Sequence, residues 1–210
     1  MAPLDGILLS HDHHADNLDT TGRTLLPTAG TVVTTRSGQR RLGSENTRGL
    51  APWHTTVLNA RDRPALEITA TPCRHGPPLS RPIAGEVIGF ALRWPDVDSR
   101  TLWISGDTVL YRGLREVATR IDVDTAVINL GGVRFPITGP LRYSMTGSDA
   151  VELLRLIDPR VAVPVHYEGW THFREPRGEL EKAFATAPHA IRDRIVWLTP
   201  GVPRTFDAPA

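Results

Sequence analysis

Apolar residues in this chain come in short runs rather than long stripes. Runs at 7–9, 31–35, 66–70, 87–94, 101–104, 125–128, 161–165 and 195–198 are set off by turn-forming residues, the pattern of strands buried within a sheet. Other stretches repeat at helical spacing. In 148–157, Ala150, Val151, Leu153, Leu154 and Ile157 fall mainly on one face; Thr146-Gly147-Ser148-Asp149 offers a capping-box start and Pro159 a stop. Further helices are predicted over 179–187 and 114–120, with a short one starting near Asp16. Strands alternating with helices imply a layered α/β architecture. With 210 residues and 40% hydrophobic content, a single domain over 1–210 is expected, its 18 Gly and 18 Pro serving as turn punctuation.

Charge narrows the partners. The 24 basic and 23 acidic residues leave a formal charge of +1, and no basic stretch is interleaved with aromatics. Neither nucleic acid nor an anionic membrane surface is therefore expected to bind, and a charged substrate must be met locally. Lys182 is the only lysine; the arginine excess is attributed to genome composition before anion binding. Arg134 and Arg142 are noted as candidate anion contacts. Cys73 stands alone, which excludes an intrachain disulfide and fits a reducing compartment. The N-terminal apolar run is too short for a signal or membrane segment, so a cytoplasmic location is expected.

The densest chemical signal is Ser10-His11-Asp12-His13-His14-Ala15-Asp16-Asn17, directly after Ile7-Leu8-Leu9. Three imidazoles and two carboxylates within six residues suit a borderline divalent metal such as zinc; a solvated histidine tract is the alternative. The arrangement recurs, with His75 just past the run at 66–70, Asp107 past 101–104 and His166 past 161–165. Taken singly, each is an ordinary loop residue. Strand ends on one rim of a sheet converge on one cleft, so together they predict one site. No Gly-x-Ser-x-Gly elbow is present, which argues against a serine hydrolase.

In order and spacing, Leu9-Ser10-His11-Asp12, Ala70-Thr71-Pro72-Cys73-Arg74-His75, Ser105-Gly106-Asp107-Thr108 and Pro164-Val165-His166-Tyr167 resemble the metallo-β-lactamase-fold hydrolases. The chain is similar to the branch containing ascorbate-phosphate lactonase and N-acyl phosphatidylethanolamine phospholipase D. The resemblance implies a four-layer αββα sandwich and a two-metal centre whose first motif is His-x-His-x-Asp-His. Carried over by position, it implies metal ligands His11, His14, Asp16, His75, Asp107 and His166, with Asp107 bridging the two ions. The first motif has one extra residue, so His13 competes with His14, and an alignment anchored on Asp16 puts Asp12 in the first position. Asn17 stands where the last histidine belongs. Its neutral oxygen would make a weaker, harder second site, so unequal occupancy is expected, by zinc first with manganese or iron as alternatives.

The implied activity is hydrolysis of a small-molecule lactone, ester or phosphoester by metal-activated hydroxide. Asp16 would orient the nucleophile, Asp107 hold the cations, and Tyr111 either assist an oxyanion or leaving group or satisfy a loop carbonyl. Tyr167 and His172 would line the mouth, while His54 and His189 are expected to be structural and Cys73 a small core residue. Only ten residues precede His11, where this fold ordinarily begins with several strands. Either a truncated chain or a minimal variant with an uncovered sheet edge would follow, and a homo-oligomer is expected to cover that edge. The same two departures motivate a second reading, a catalytically silent metal-binding or interaction protein.

Overall fold

The computed structural model describes residues 4–95 and 101–206. Strands β1 (Leu4–Leu8), β2 (Ala29–Thr35) and β3 (Thr47–Leu50) form a parallel sheet in that order. A second sheet runs β4 (Thr55–Leu58), β5 (Leu66–Pro72), β6 (Ile88–Arg93), β7 (Thr101–Ile104), β8 (Val123–Asn129), β9 (Val161–Val165). Its pairings are antiparallel from β4 to β7 and parallel from β7 to β9. Parallel neighbours need a crossover rather than a hairpin. Helix α4 (Arg112–Arg120) makes the first and α5 (Gly147–Ile157) the second. The remaining helices are α1 (Thr20–Leu25), α2 (Arg36–Leu42), α3 (Arg81–Ala84), α6 (Arg177–Ala185) and α7 (His189–Arg192).

The two-residue period of a strand sends neighbouring side chains to opposite faces, and β2 shows the result. Val33 points inward with Leu50 onto Ile68, Ala70, Phe90 and Leu92 of the large sheet. Val32 points outward with Ile7 onto Leu18, Leu26 and Leu42. The far face of the large sheet buries Ala91, Trp103, Ala126 and Ala162 against Leu114, Val117, Leu153, Leu154 and Leu180. The layers therefore run helix, sheet, sheet, helix, as the resemblance implies. Trp103, fully buried, satisfies its one polar atom by donating Nε1–H to Thr71 Oγ1 at 3.1 Å. The capping box of α5 forms as expected: Thr146 accepts from the Asp149 amide while Asp149 accepts from the Thr146 amide.

Some expectations are corrected. The run at 195–198 is not a full strand: Ile195 makes a single bridge to Ala162, and Trp197 turns onto Tyr167 and Phe184. The short helix expected near Asp16 starts later, at Thr20, because residues 15–17 form a turn and Asp19 is the N-cap, accepting from the Gly22 amide. The predicted helix 179–187 lies two residues earlier, as Arg177–Ala185. Among the described residues β1 pairs only with β2, and its outer edge carries no strand.

One glycine ties the fold to the site. Gly106 has φ +64, and a Cβ there would sit 2.7 Å from the Ile88 carbonyl oxygen. Gly106→Ala is expected to cost about 2 kcal/mol from the left-handed backbone and the clash, read as a lower denaturant midpoint with an unchanged slope.

Candidate metal centre

Antiparallel β6 separates β5 from β7, so β5, β7, β8 and β9 all point the same way. Their C-terminal ends share one rim, and His75, Asp107, Asn129 and His166 lie at or just beyond those ends. The loop after β1 reaches this rim from the other sheet. Leu9 N–H donates to Val33 O at 2.9 Å, and Ser10 O accepts from Ile88 N at 3.2 Å, which fastens the loop across both sheets.

His11, His14 and His75 each offer a ring nitrogen, and these nitrogens lie within 4.8 Å of one another. A carbonyl can only accept, so His75 Nδ1 carries the proton it donates to Tyr143 O at 2.7 Å, and His166 Nδ1 the one it donates to Leu130 O at 3.1 Å. In a neutral ring so bonded, Nε2 is the lone-pair nitrogen, the orientation that metal-binding histidines take from their outer hydrogen bonds. His11 Nδ1 pairs with Ser10 Oγ at 3.0 Å, and its Nε2 is buried without a partner. Asp107 Oδ1 accepts from Asn129 Nδ2 at 2.7 Å, while Oδ2 faces His166 Nε2 at 3.3 Å and His11 Nε2 at 3.9 Å. His166 itself has φ +60, a costly conformation for a residue other than glycine, held at the point where its ring enters the site.

Burial drives the His11 pKa down to about 4 against the pull of Asp107, and His75 and His14 add to the drop. His75 is lowered by burial too. For Asp107, burial pushes upward, but the imidazoles of His166, His11 and His75 outweigh it and hold the carboxyl below its ordinary value. Neutral imidazoles beside an ionised carboxylate are what a divalent cation requires. A buried, unpartnered ring nitrogen costs stability unless something occupies it. The residues present therefore fit a metal ion.

Each predicted residue has a definite place. His14 rather than His13 joins the cluster; the His13 ring lies against Gly85 and within 3.2 Å of Arg41. Asp12 is bound by Arg41, with Nε donating to Oδ2 at 2.7 Å, so it anchors the loop and is not in the histidine cluster. Asp16 Oδ2 lies 2.9 Å from His172 Nε2. Asn17 does not extend a weak oxygen ligand. Its Nδ2 donates to His11 O, and its Oδ1 accepts from Ser10 Oγ at 3.4 Å. Tyr111 stacks under the Arg74 guanidinium and lines a cavity of about 540 Å³ with Leu110, Arg112, Arg115 and Glu152. None of the candidate ligands lines that cavity.

Cys73 donates its thiol to Ser105 O at 2.8 Å, and burial pushes its pKa up, so it stays a thiol. Arg142 lies 4.0 Å from Asp149, whereas Arg134 is tied through its amide to His172 O. His54 and His189 sit outside the centre, paired with Arg36 and Asp193. The sequence reading passed over Asn129 and Arg41. Asn129 directly follows the predicted run at 125–128, a position that could have flagged it; nothing near Arg41 in sequence announces its contact with Asp12.

The layered fold and the histidine cluster together define a metal-dependent hydrolase. The chain belongs to the beta-lactamase superfamily domain family, whose profile matches residues 1–167. A metal-dependent hydrolase of Carboxydothermus hydrogenoformans is 28% identical over 201 residues, 94% of this chain and 80% of the relative. Another, from Caldivirga maquilingensis, is 25% identical over 206 residues, 96% and 80% of the two chains. Among solved structures, an isothiocyanate hydrolase from Delia radicum gut bacteria superposes with a TM-score of 0.79 at 23% identity, covering 97% of this chain and 77% of that one. A possible metal-dependent hydrolase from Veillonella parvula gives 0.78 at 17% identity, covering 94% and 74%. At these identities the structural likeness speaks for the fold alone. No helix among the described residues is long and apolar enough to cross a membrane.

Proposed function

We propose that the chain hydrolyses a small carboxylic ester, lactone or phosphoester at this centre, using a divalent cation, zinc first. The observation that carries the reading is the buried, unpartnered His11 Nε2, set among His14, His75 and the Asp107 carboxylate. A cation held there supplies Lewis acidity, lowering the pKa of water and drawing electron density from a carbonyl or phosphoryl oxygen. His11, His14 and His75 would hold it. Asp107, its second oxygen fixed by Asn129, presents one oxygen between His11 and His166. Asp16 sits at the end of the same loop and would orient water for attack. His75 also lines a cavity of about 320 Å³ together with Arg74, Ser80, Arg81 and Glu86. That volume takes a small molecule rather than a polymer, and its arginines would meet a carboxylate or phosphate.

The outer edge of β1, which no strand covers among the described residues, and the exposed Leu4 at its start support self-association of the chain through that edge. Removing metal with a strong chelator should lower turnover of generic lactone and phosphodiester substrates by at least ~100-fold, with recovery on adding zinc or manganese. Turnover that survives chelation with no bound metal would sink the proposal.

A further inference from the structure

The first motif lacks its last histidine, and Asn17, which takes that place, has turned its carboxamide back onto Ser10 and His11. A second imidazole nevertheless reaches Asp16 from a segment far away in sequence. His172 lies beyond β9, in the loop that follows His166, with Nε2 2.9 Å from Asp16 Oδ2. Both side chains are largely buried, at 15% and 14% exposure. The Nε2 atom has no solvent contact and makes no aligned hydrogen bond, even to the carboxylate beside it. A buried imidazole nitrogen close to a carboxylate, yet not bonded to it, is costly unless a third group lies between or beside them.

We propose that His172 supplies the nitrogen ligand missing at position 17, so that Asp16, Asp107, His166 and His172 hold a second divalent cation. The inference rests on the metal-centre reading given above. Two oxygen and two nitrogen donors suit zinc, with manganese or iron as harder alternatives. The ring is held rather than free to swing. It packs between Phe135 and Phe173, with ring centroids 5.3 and 4.8 Å away, and stacks on Trp170 at 5.8 Å. Phe173 in turn lies 4.7 Å from the His166 ring, so one phenyl group braces both imidazoles. The loop is tied down by Arg134 N–H donating to His172 O, and by the Arg174 and Glu175 amides donating to Gly131 O. Gly131 and Arg134 belong to the segment following β8, the strand that ends on Asn129 and so supports Asp107.

The structure sets these donors as two pairs, Asp16 with His172 at 2.9 Å and Asp107 with His166 at 3.3 Å; among the described residues only the three histidines already lie within 4.8 Å of one another, so the two pairs must draw together around the second ion. The second ion is therefore the weaker of the two. The test is stepwise metal loading of the metal-free full chain with cobalt(II) and with zinc, followed by absorption and by metal analysis after gel filtration. The wild type should take up two ions in two steps. His172→Phe keeps a flat ring between Phe135 and Phe173 but cannot ligate. It should lose the second step and its cobalt absorption, or weaken it by at least ~10-fold, while the first step and the metal-free melting temperature stay as in the wild type. His172→Leu, which likewise carries no donor atom, serves as the second variant if the phenyl ring is not accommodated. An unchanged second step in either folded variant overturns the proposal. So does uptake of only one ion by the wild type, which leaves the three-histidine site standing. Uptake of none would overturn the metal-centre reading as well.

Discussion

Asp107→Ala is expected to abolish metal binding and hydrolysis together, with turnover falling by at least ~10³-fold, on the order of 4 kcal/mol of transition-state stabilisation. The size follows from where the carboxylate sits. It is buried, and Oδ2 faces the Nε2 atoms of both His11 and His166. Its removal takes from between the His11 and His166 rings the negative charge that would offset a bound cation, so the cation's affinity falls. Asn129→Ala removes only the hydrogen bond that fixes Oδ1, so a smaller loss of roughly 10- to 100-fold is expected there. Metal content and kcat/KM measured on both variants decide the matter. Metal-dependent turnover retained by Asp107→Ala would reject the role assigned to Asp107.

How far the sequence could lead depended on whether a signal was local. Strands β5 to β9 were legible because each is a short buried run, and α5 because its apolar face and its capping box are contiguous in sequence. The rim was legible for the same reason: His75, Asp107 and His166 each follow a predicted strand. Helix α2 was missed because Arg36–Leu42 is mostly polar and carries no apolar stripe. Its ends are capped, where Thr35 accepts from the Gly38 amide and Gly43 closes the last turn at φ +63, and Leu42 alone packs onto the outer layer. The run at 195–198 misled because an apolar segment looks the same whether it joins a sheet or covers a helix layer, and Trp197 does the second.

The choice between His13 and His14 turned on contacts that spacing does not encode. Arg41, from α2, takes Asp12 and lies against His13, and it is His14 whose ring faces His11 and His75. The pairing of Asp16 with His172 joins the first motif to the loop after β9 and has no local signature at all. Asn17 was legible as a departure from the family motif, but its effect was not. Its side chain stiffens the loop that carries His11 and offers nothing to a second ion.

Acid should destabilise the metal-free protein across a window set by His11. Its side chain is wholly buried, and burial takes its pKa from 6.5 to about 4, with His75 lowered in the same direction. Between those values the unfolded chain binds a proton that the folded chain refuses, so the unfolded state holds more protons and stability rises with pH. The contribution is fully present above pH 6.5 and is lost as pH falls toward about 4. It amounts to roughly 3 kcal/mol for a shift of this size, or a fall of about 6 to 12 °C in Tm for a chain this long. Asp107, whose carboxyl is held low, adds a loss of the same sign at still lower pH. Because other acid-sensitive groups also respond, the measurement is a difference. Metal-free His11→Gln has no group titrating at that position, so its Tm should fall less steeply than the wild type's between pH 6.5 and 4. Parallel curves would mean that the His11 ring takes up its proton as readily in the fold as in the open chain. The site would then not present the neutral, desolvated nitrogen on which the case for a metal rests.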